Sequence, residues 1–218
     1  MTTLSGKQRG ELIYGIGHVD YSLPISKKGK KSKEYETWRG ILKRCLDDGY
    51  LEREPTYNGC SISKEWTYYK NFYDWITSQE NYKQWKEGGK GWAIDKDILI
   101  KGNKVYSSET CLLVPMNVNS LFTNRKLHRG SYPIGVSYSK KNNKFLAYCN
   151  DPFKERNDGG RYIGHYLGSY TTPEEAFYAY KKFKEEMIKK VAILEFQREN
   201  ITQKCYEAMI NYQIEIDD

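Results

Sequence analysis

Three strand-like runs constrain the fold of this 218-residue chain more than any other feature. Residues 134–138, 144–150 and 161–170 alternate apolar and polar side chains, as strands on a half-buried sheet do. A turn rich in Lys and Asn at 140–143 joins the first two runs, and a loop with Pro and Gly at 151–160 joins the last two. This spacing predicts a three-stranded antiparallel sheet.

A helix is predicted directly after the third run. Thr171 or Thr172 can cap it, Pro173 suits its first turn, and the glutamates at 174 and 175 favour its positive N-terminus. Apolar side chains recur along it at helical spacing, namely Ala176, Tyr180, Phe183, Met187, Val191 and Leu194. We expect this stripe to cover one face of the sheet. Strand alternation then leaves five side chains on the open face, namely Ser137, Ser139, Tyr148, Asn150 and Tyr166.

The charge distribution favours a polyanionic partner. The formal net charge is +7 and the chain holds 20 Tyr, a combination that suggests nucleic-acid binding. From Thr110 to Asn150 there is no Asp or Glu, whereas the same window holds six cations, namely Arg125, Lys126, Arg129, Lys140, Lys141 and Lys144. An open sheet face with basic turns fits binding in a DNA groove. The alternatives are a merely basic globular protein and a solvated linker around 125–129.

Cysteine usage and the N-terminal sequence indicate the compartment. The five cysteines are scattered and form no C-x-x-C pair, which favours reduced thiols in a cytosol-like setting. None of the three His lies near two cysteines, so a zinc site is not expected. The N-terminus has no long apolar segment, and we therefore expect a cytoplasmic protein without a signal peptide or membrane span.

The first part of the chain predicts an arm and two helices. Residues 1–33 are expected to be irregular, and their lysine run either lies along phosphates or forms a solvated tail. A first helix is predicted over 34–47, and a second over 63–79 with Ser63 as its cap. A charged connector is predicted over 81–91, and a strand from Trp92 to Ile100.

Carboxylate and amide side chains cluster between residues 94 and 119. Asp95 and Asp97 lie in an apolar, strand-like run, and Gly102 with Asn103 predicts a turn. A second apolar run follows at 111–114, and Asn119 lies where a helix could begin. This strand, turn, strand and helix order could bring oxygen ligands together for one Mg²⁺ ion. The alternative is that Asp95 and Asp97 are strand-edge carboxylates near lysines.

The first half resembles the HNH-type nucleases of phages, in the subgroup with a C-terminal DNA-binding domain. The residues that carry this resemblance are Trp38, Arg44, Cys45, Trp66, Phe72, Ile94, Asp95, Lys96, Tyr106, Ser107, Glu109, Cys111 and Asn119. The resemblance implies a ββα-metal unit in which Asp95 holds Mg²⁺ or Mn²⁺, with Asp97 or Asn119 helping. It also implies a His directly after that Asp as the general base. Lys96 stands there instead, and a Lys is a poor base unless burial lowers its pKa.

The second half resembles the Apetala-type (ethylene-response-factor) DNA-binding domain. The matching residues are Gly135, Val136, Phe145, Leu146, Ala147, Tyr166, Leu167, Gly168, Ser169, Tyr170, Glu174, Glu175, Ala176, Ala179 and Tyr180. The resemblance implies binding of double-stranded DNA by the sheet. Ser137, Ser139 and Asn150 replace the arginines that read bases in the plant proteins. Asn150 could pair with adenine, which suits an amide side chain.

Together these observations predict an α+β chain with three parts. They are a basic arm over 1–33, an HNH-like domain over 34–125 with flanking helices, and an Apetala-like domain over 126–218 with a C-terminal helical extension. In the last domain a three-stranded antiparallel sheet packs on one helix. Phosphates are expected to contact Lys140, Lys141, Lys144, Arg125, Lys126 and Arg129.

Three functions remain open from the sequence. The first is a double-stranded-DNA-binding nuclease that cleaves phosphodiesters with a metal ion, through Asp95, Lys96 and Asn119. The second is a catalytically inactive DNA-binding or regulatory protein on the same frame. The third is an anti-defence protein that acts through a host protein in the cytoplasm of an infected bacterium.

Overall fold

A computed structural model describes residues 12–27, 29–123, 131–153 and 164–218. The chain forms two compact units, Met1–Val114 and Pro115–Asp218. Helices and strands occur in both units, which confirms the α+β class, whereas the finer ββα-metal unit stays a prediction. No helix in the described ranges is long and apolar enough to cross a membrane.

The first unit packs short helices and short strand pairs around an aromatic core. Its elements are β1 (Ser26–Lys27), β2 (Lys30–Lys31), α1 (Lys33–Leu46), α2 (Asp48–Arg53), β3 (Ser61–Ile62), α3 (Tyr69–Thr77), α4 (Tyr82–Glu87), β4 (Trp92–Asp95), β5 (Val105–Tyr106) and β6 (Leu112–Pro115). Strands β1 and β2 pair antiparallel, β3 pairs parallel with β5, and β4 neighbours β6. The largest core side chains include Trp38, Ile41, Leu42, Trp66, Tyr69, Phe72 and Trp85.

Helix α1 confirms the first predicted helix. The Ser32 hydroxyl accepts a hydrogen bond from the backbone N–H of Tyr35 at 3.2 Å, which caps the helix as expected of Ser. One face of α1 buries Trp38, and the indole N–H of Trp38 donates to the carbonyl of Trp66 at 2.7 Å. A buried indole N–H needs such a partner, so this bond fixes α1 against the segment before α3.

The second predicted helix is wrong in its first part. Residues 65–67 form a 3₁₀ turn, and the helix α3 begins only at Tyr69. The reason is a parallel bridge between His18 and Tyr68. The N–H of His18 donates to the carbonyl of Thr67, and the carbonyl of His18 accepts from the N–H of Tyr69. These bonds hold Tyr68 in an extended conformation, which interrupts the helix.

Three other expectations for the first unit need correction. Residues 1–33 were expected to be irregular, but they contain the β1–β2 hairpin and the first residue of α1. Residues 1–11 and 28 lie outside the described part of the chain. The connector over 81–91 contains α4, because Trp85 is buried against the core. The strand from Trp92 ends at Asp95 instead of Ile100, since the Asp95 carboxylate binds the following backbone and closes a turn.

The second unit contains the predicted sheet and helix. Its elements are α5 (Met116–Leu121), β7 (Val136–Ser139), β8 (Lys144–Asn150), β9 (Gly164–Tyr170), α6 (Pro173–Gln197) and α7 (Gln203–Ile210). The sheet is antiparallel in the order β7-β8-β9, and α6 packs on it, which confirms this part of the prediction.

Two local devices fix α6 and its contact with the sheet. Thr172 and Glu175 form a capping box, with Pro173 at the first helical position. Gly135 has a φ of +78°, and a Cβ there would lie 2.1 Å from the ring of Tyr180 on α6. Only glycine fits this close approach at this φ, so Gly135 lets the chain enter β7 directly against the helix.

Candidate nucleic-acid interface

Strand register determines which side chains share the open face of the β7–β9 sheet. Ser137 pairs with Leu146, which pairs on its other side with Ser169. Directly paired residues share a face, and faces alternate along each strand. The open face therefore carries Ser137, Ser139, Lys144, Leu146, Tyr148, Asn150, Tyr166 and Ser169. All five side chains assigned to this face from the sequence lie on it.

The opposite face of the sheet packs against α6. Ala147 and Cys149 are buried there. His165 pairs with Cys149, and its ring stacks on Phe183 of α6 with centroids 4.9 Å apart. Burial raises the pKa of the Cys149 thiol to about 11, so this thiol stays protonated at neutral pH. The helix-covered face is therefore core, and only the other face is available to a partner.

A β-bulge brings two tyrosines together on the open face. The register shifts between Ala147 and Tyr148, so that Ala147 pairs with Gly168 but Tyr148 pairs with Tyr166. Bulges of this kind bend a strand and redirect side chains. The rings of Tyr148 and Tyr166 lie 5.3 Å apart at 47°, and the two residues are 41% and 52% exposed. Two adjoining phenol rings thus stand in solvent beside Asn150.

A basic turn borders this face. Lys140 and Lys141 are exposed in the turn between β7 and β8. Asn143 holds the turn with a φ of +49° and accepts a hydrogen bond from the hydroxyl of Tyr138. Lys144 donates to the hydroxyl of Thr171 at 3.2 Å. No open-face residue named above carries a carboxylate, whereas Lys140, Lys141 and Lys144 bring three cations to this edge. Arg125, Lys126 and Arg129 lie outside the described residues.

Asp95 stabilises a turn at the end of β4. It is buried, and its Oδ1 accepts hydrogen bonds from the backbone N–H groups of Asp97 and Ile98, both at 2.8 Å. Burial raises the pKa of this carboxyl and the negative charge of Asp97 adds to that shift, whereas the two N–H bonds oppose it. This is the geometry of a carboxylate that caps a turn.

Lys96 forms an ion pair with its neighbour. Its Nζ lies 2.6 Å from Oδ1 of Asp97, and it stands 5.8 Å from the centre of the Tyr106 ring. The Lys96 side chain is 9% exposed, against 46% for Asp97. The carboxylate and the aromatic ring hold the Lys96 ammonium in place, and this ammonium donates its hydrogen bond to Asp97.

The residues around Asp95 fit a divalent cation poorly. Mg²⁺ binds carboxylate oxygens together with water. Here one oxygen of Asp95 accepts two N–H bonds, and one oxygen of Asp97 is paired with an ammonium. Within the described ranges, no group of three or more His, Cys, Asp or Glu could hold a metal ion. A cation at Asp97 would have to share this carboxylate with the Lys96 ammonium, and the metal site stays a prediction.

Asn119 lies in the second unit, on α5, and is half-buried. Its neighbour Asn117 has a structural role, because its amide donates to the buried carboxylate of Glu195 on α6 at 2.9 Å. Asn200 donates to the same carboxylate at 2.7 Å. Asn117 thus anchors α5 to α6. Its position in the sequence alone did not indicate this role.

Leu146 and Ser169 also lie on the open face, although neither was predicted there. Strict alternation over 144–150 places Leu146 on the same face as Tyr148. Ser169 could be assigned only from register, because the bulge changes the alternation of β9 relative to β8. The face is therefore partly apolar at its centre.

Comparisons of the chain with protein-family models, with curated proteins and with solved structures found no match.

Proposed function

We propose that this protein binds double-stranded DNA through the open face of the β7–β9 sheet. The observation that supports the proposal is one surface that combines the basic turn at Lys140 and Lys141 with Tyr148, Tyr166 and Asn150. The opposite face of the sheet is covered, since α6 packs on it and the two share a core.

The roles follow from the chemistry of each side chain. The major groove of DNA admits a two-stranded β-ribbon, and some DNA-binding proteins insert strands of a sheet into it. Lys140 and Lys141 would contact phosphates on either side of the groove. The Asn150 amide would donate a hydrogen bond to N7 of adenine and accept one from the N6 amino group. Tyr148 and Tyr166 would pack against sugars and donate hydrogen bonds to phosphate oxygens.

Salt-dependent binding of a short duplex tests the proposal. Wild-type affinity should fall steeply between about 50 and 200 mM salt, because phosphate contacts release counterions. Replacing Lys140 and Lys141 by Ala should weaken binding roughly tenfold and reduce the salt slope by about two, one unit for each lost phosphate contact. Fluorescence anisotropy of a labelled duplex measures both quantities.

A matched double substitution provides the control. Lys182 and Lys189 are exposed lysines on α6, in the same unit and with the same change in net charge. Their replacement by Ala should change duplex affinity by less than about twofold. Equal effects of the two double variants would show that only the net charge matters, and the assignment to the sheet would then fail.

Metal-dependent cleavage is the second candidate. The observation in its favour is the buried carboxylate of Asp95, which directly precedes Lys96 and lies two residues before Asp97. If Mg²⁺ or Mn²⁺ were bound, it would supply Lewis-acid polarisation of a phosphate. A plasmid assay with either ion decides the matter. Cleavage that Asp95→Asn abolishes would establish a nuclease. Intact plasmid, together with duplex binding, would identify a catalytically inactive DNA-binding protein.

A further inference from the structure

A loop in the first unit is fixed on α1 and α3 through backbone contacts. Ile13 and Gly17 form an antiparallel bridge, with N–H to carbonyl distances of 2.9 and 2.8 Å. A Cβ at Gly17 would lie 2.6 Å from Leu42 of α1, so the loop backbone packs directly on that helix. His18 follows and is bonded on both sides to the backbone around Tyr68. The position of His18 is therefore set by the core.

This arrangement holds two aromatic rings in a stack that faces solvent. The rings of His18 and Tyr68 have centroids 4.4 Å apart and an angle of 7° between their planes. Tyr68 is 48% exposed, and His18 is exposed as well. Exposed rings that stack on each other above a fixed backbone offer a flat surface and have less side-chain entropy to lose on binding than isolated exposed rings.

The stacked pair lines a cleft of about 560 Å³. Its other lining residues are Val19, Asp20, Tyr21, Lys70 and Asn71. The Asp20 carboxylate accepts hydrogen bonds from the N–H and the hydroxyl of Ser22, at 2.9 and 2.6 Å. Lys70 pairs with Asp74 at 2.6 Å. The wall thus combines an aromatic surface with an anionic acceptor and a cationic donor, which together suit the face and the edge of a heterocycle.

One cation, Lys70, lines the cleft, and two others lie near the Tyr35 ring of α1. Lys31 and Arg39 both lie 5.9 Å from the centre of the Tyr35 ring. Among the described residues, the buried Nε of Arg39 has no hydrogen-bond partner. Positive charge beside an aromatic surface is the combination that single-stranded nucleic acids bind.

We propose that the cleft lined by His18 and Tyr68 binds an unpaired base of single-stranded nucleic acid. The base stacks on the ring pair, and its polar edge meets Asp20 and Lys70. This site belongs to the first unit and does not depend on duplex binding by the sheet.

The test compares two single-stranded probes on the full-length protein. One is an oligothymidylate of about 12 nucleotides, and the other has the same backbone with abasic sugars in place of the bases. Both present the same phosphates, so their difference in affinity isolates the contribution of the bases. The wild type should bind the oligothymidylate roughly tenfold more tightly, and Tyr68→Ala should remove this difference.

Two further variants control for folding and for unspecific effects. Tyr68→Phe keeps the ring and should retain the preference for bases. Tyr178→Ala removes a tyrosine that is 65% exposed on α6, outside the cleft, and should leave the preference unchanged. Equal affinity of the wild type for the two probes would overturn the proposal. So would a preference for bases that persists in Tyr68→Ala.

Discussion

At the residue scale, Glu34 shows how one buried carboxylate stabilises the first unit. It is 1% exposed on α1 and accepts hydrogen bonds from the hydroxyl of Tyr82 and the ammonium of Lys86 on α4. Burial alone would raise the pKa of Glu34, but the hydrogen bonds from Lys86 and Tyr82 outweigh it and lower the pKa below its ordinary 4.5. The charged form is therefore the one that joins α1 to α4.

The lowered pKa of Glu34 predicts a pH-dependent loss of stability in Glu34→Gln. A depressed carboxyl pKa contributes stability above its ordinary value, and this contribution is lost as pH falls through the lowered pKa. At about pH 7 the variant should lose roughly 1.5–3 kcal/mol, as expected for hydrogen bonds to a charged group. Urea unfolding at a series of pH values should show the variant approaching the wild type below about pH 4.

Glu36→Gln is the matched control for this experiment, because Glu36 lies in the same helical turn and is exposed. Its free energy of unfolding should differ from that of the wild type by less than about 0.5 kcal/mol. A Glu34→Gln deficit that stays constant with pH would mean that packing of the side chain, rather than its charge, stabilises the contact.

Single residues were the hardest part of the site to predict. The sequence allows Asp95 to be a metal ligand or a strand-edge carboxylate, because both roles suit a carboxylate in an apolar, strand-like run. In the structure, Oδ1 of Asp95 accepts hydrogen bonds from two backbone N–H groups. These bonds depend on the conformation of the three residues that follow Asp95. Asn117 is a similar case, since its partner Glu195 lies 78 positions away in the chain.

At the element scale, the start of α6 carries a prediction about local stabilisation. The hydroxyl of Thr172 accepts from the N–H of Glu175 at 3.2 Å, and the Glu175 carboxylate accepts from the N–H of Thr172 at 3.2 Å. Thr172→Ala should lower the free energy of unfolding by about 1 kcal/mol, the usual contribution of an N-cap. Thr171→Ala keeps the capping box and should cost less, so equal losses in urea unfolding would contradict this role.

Elements with strong local signals were predictable from the sequence. Strand β8 has its predicted bounds, and the Thr172 cap of α6 was among the expected ones. The cap depends on contacts within a few residues, and the strand has a regular alternation of its own side chains. The prediction of the second helix was wrong in its first part. The reason is that His18, which lies 50 positions before Tyr68, pairs with the backbone at Tyr68. A contact between residues so distant in sequence leaves no periodic pattern. The β-bulge in β9 was not predicted for the same reason.

At the scale of the whole molecule, the two units predict a separable second half. Residues 115–218 have their own core, which includes Ala147, Cys149, Ala176, Met187, Ile188 and Met209. A fragment of these residues should unfold cooperatively and bind duplex DNA with an affinity within about threefold of the full chain. Circular dichroism and anisotropy measure the two properties. A fragment without a cooperative transition would show that its core depends on the first unit.

Duplex binding by the β7–β9 sheet is the central claim, and mapping amide chemical shifts in isotope-labelled protein tests it most directly. On addition of a short DNA duplex, the largest shifts should occur in β7, β8 and β9 and in the turn at Lys140 and Lys141, with little change at the solvent-facing positions of α6. The same titration on the Lys140 and Lys141 double variant should show smaller shifts at the same positions. Shifts confined to α6, α7 or the first unit, or their absence, would contradict the account.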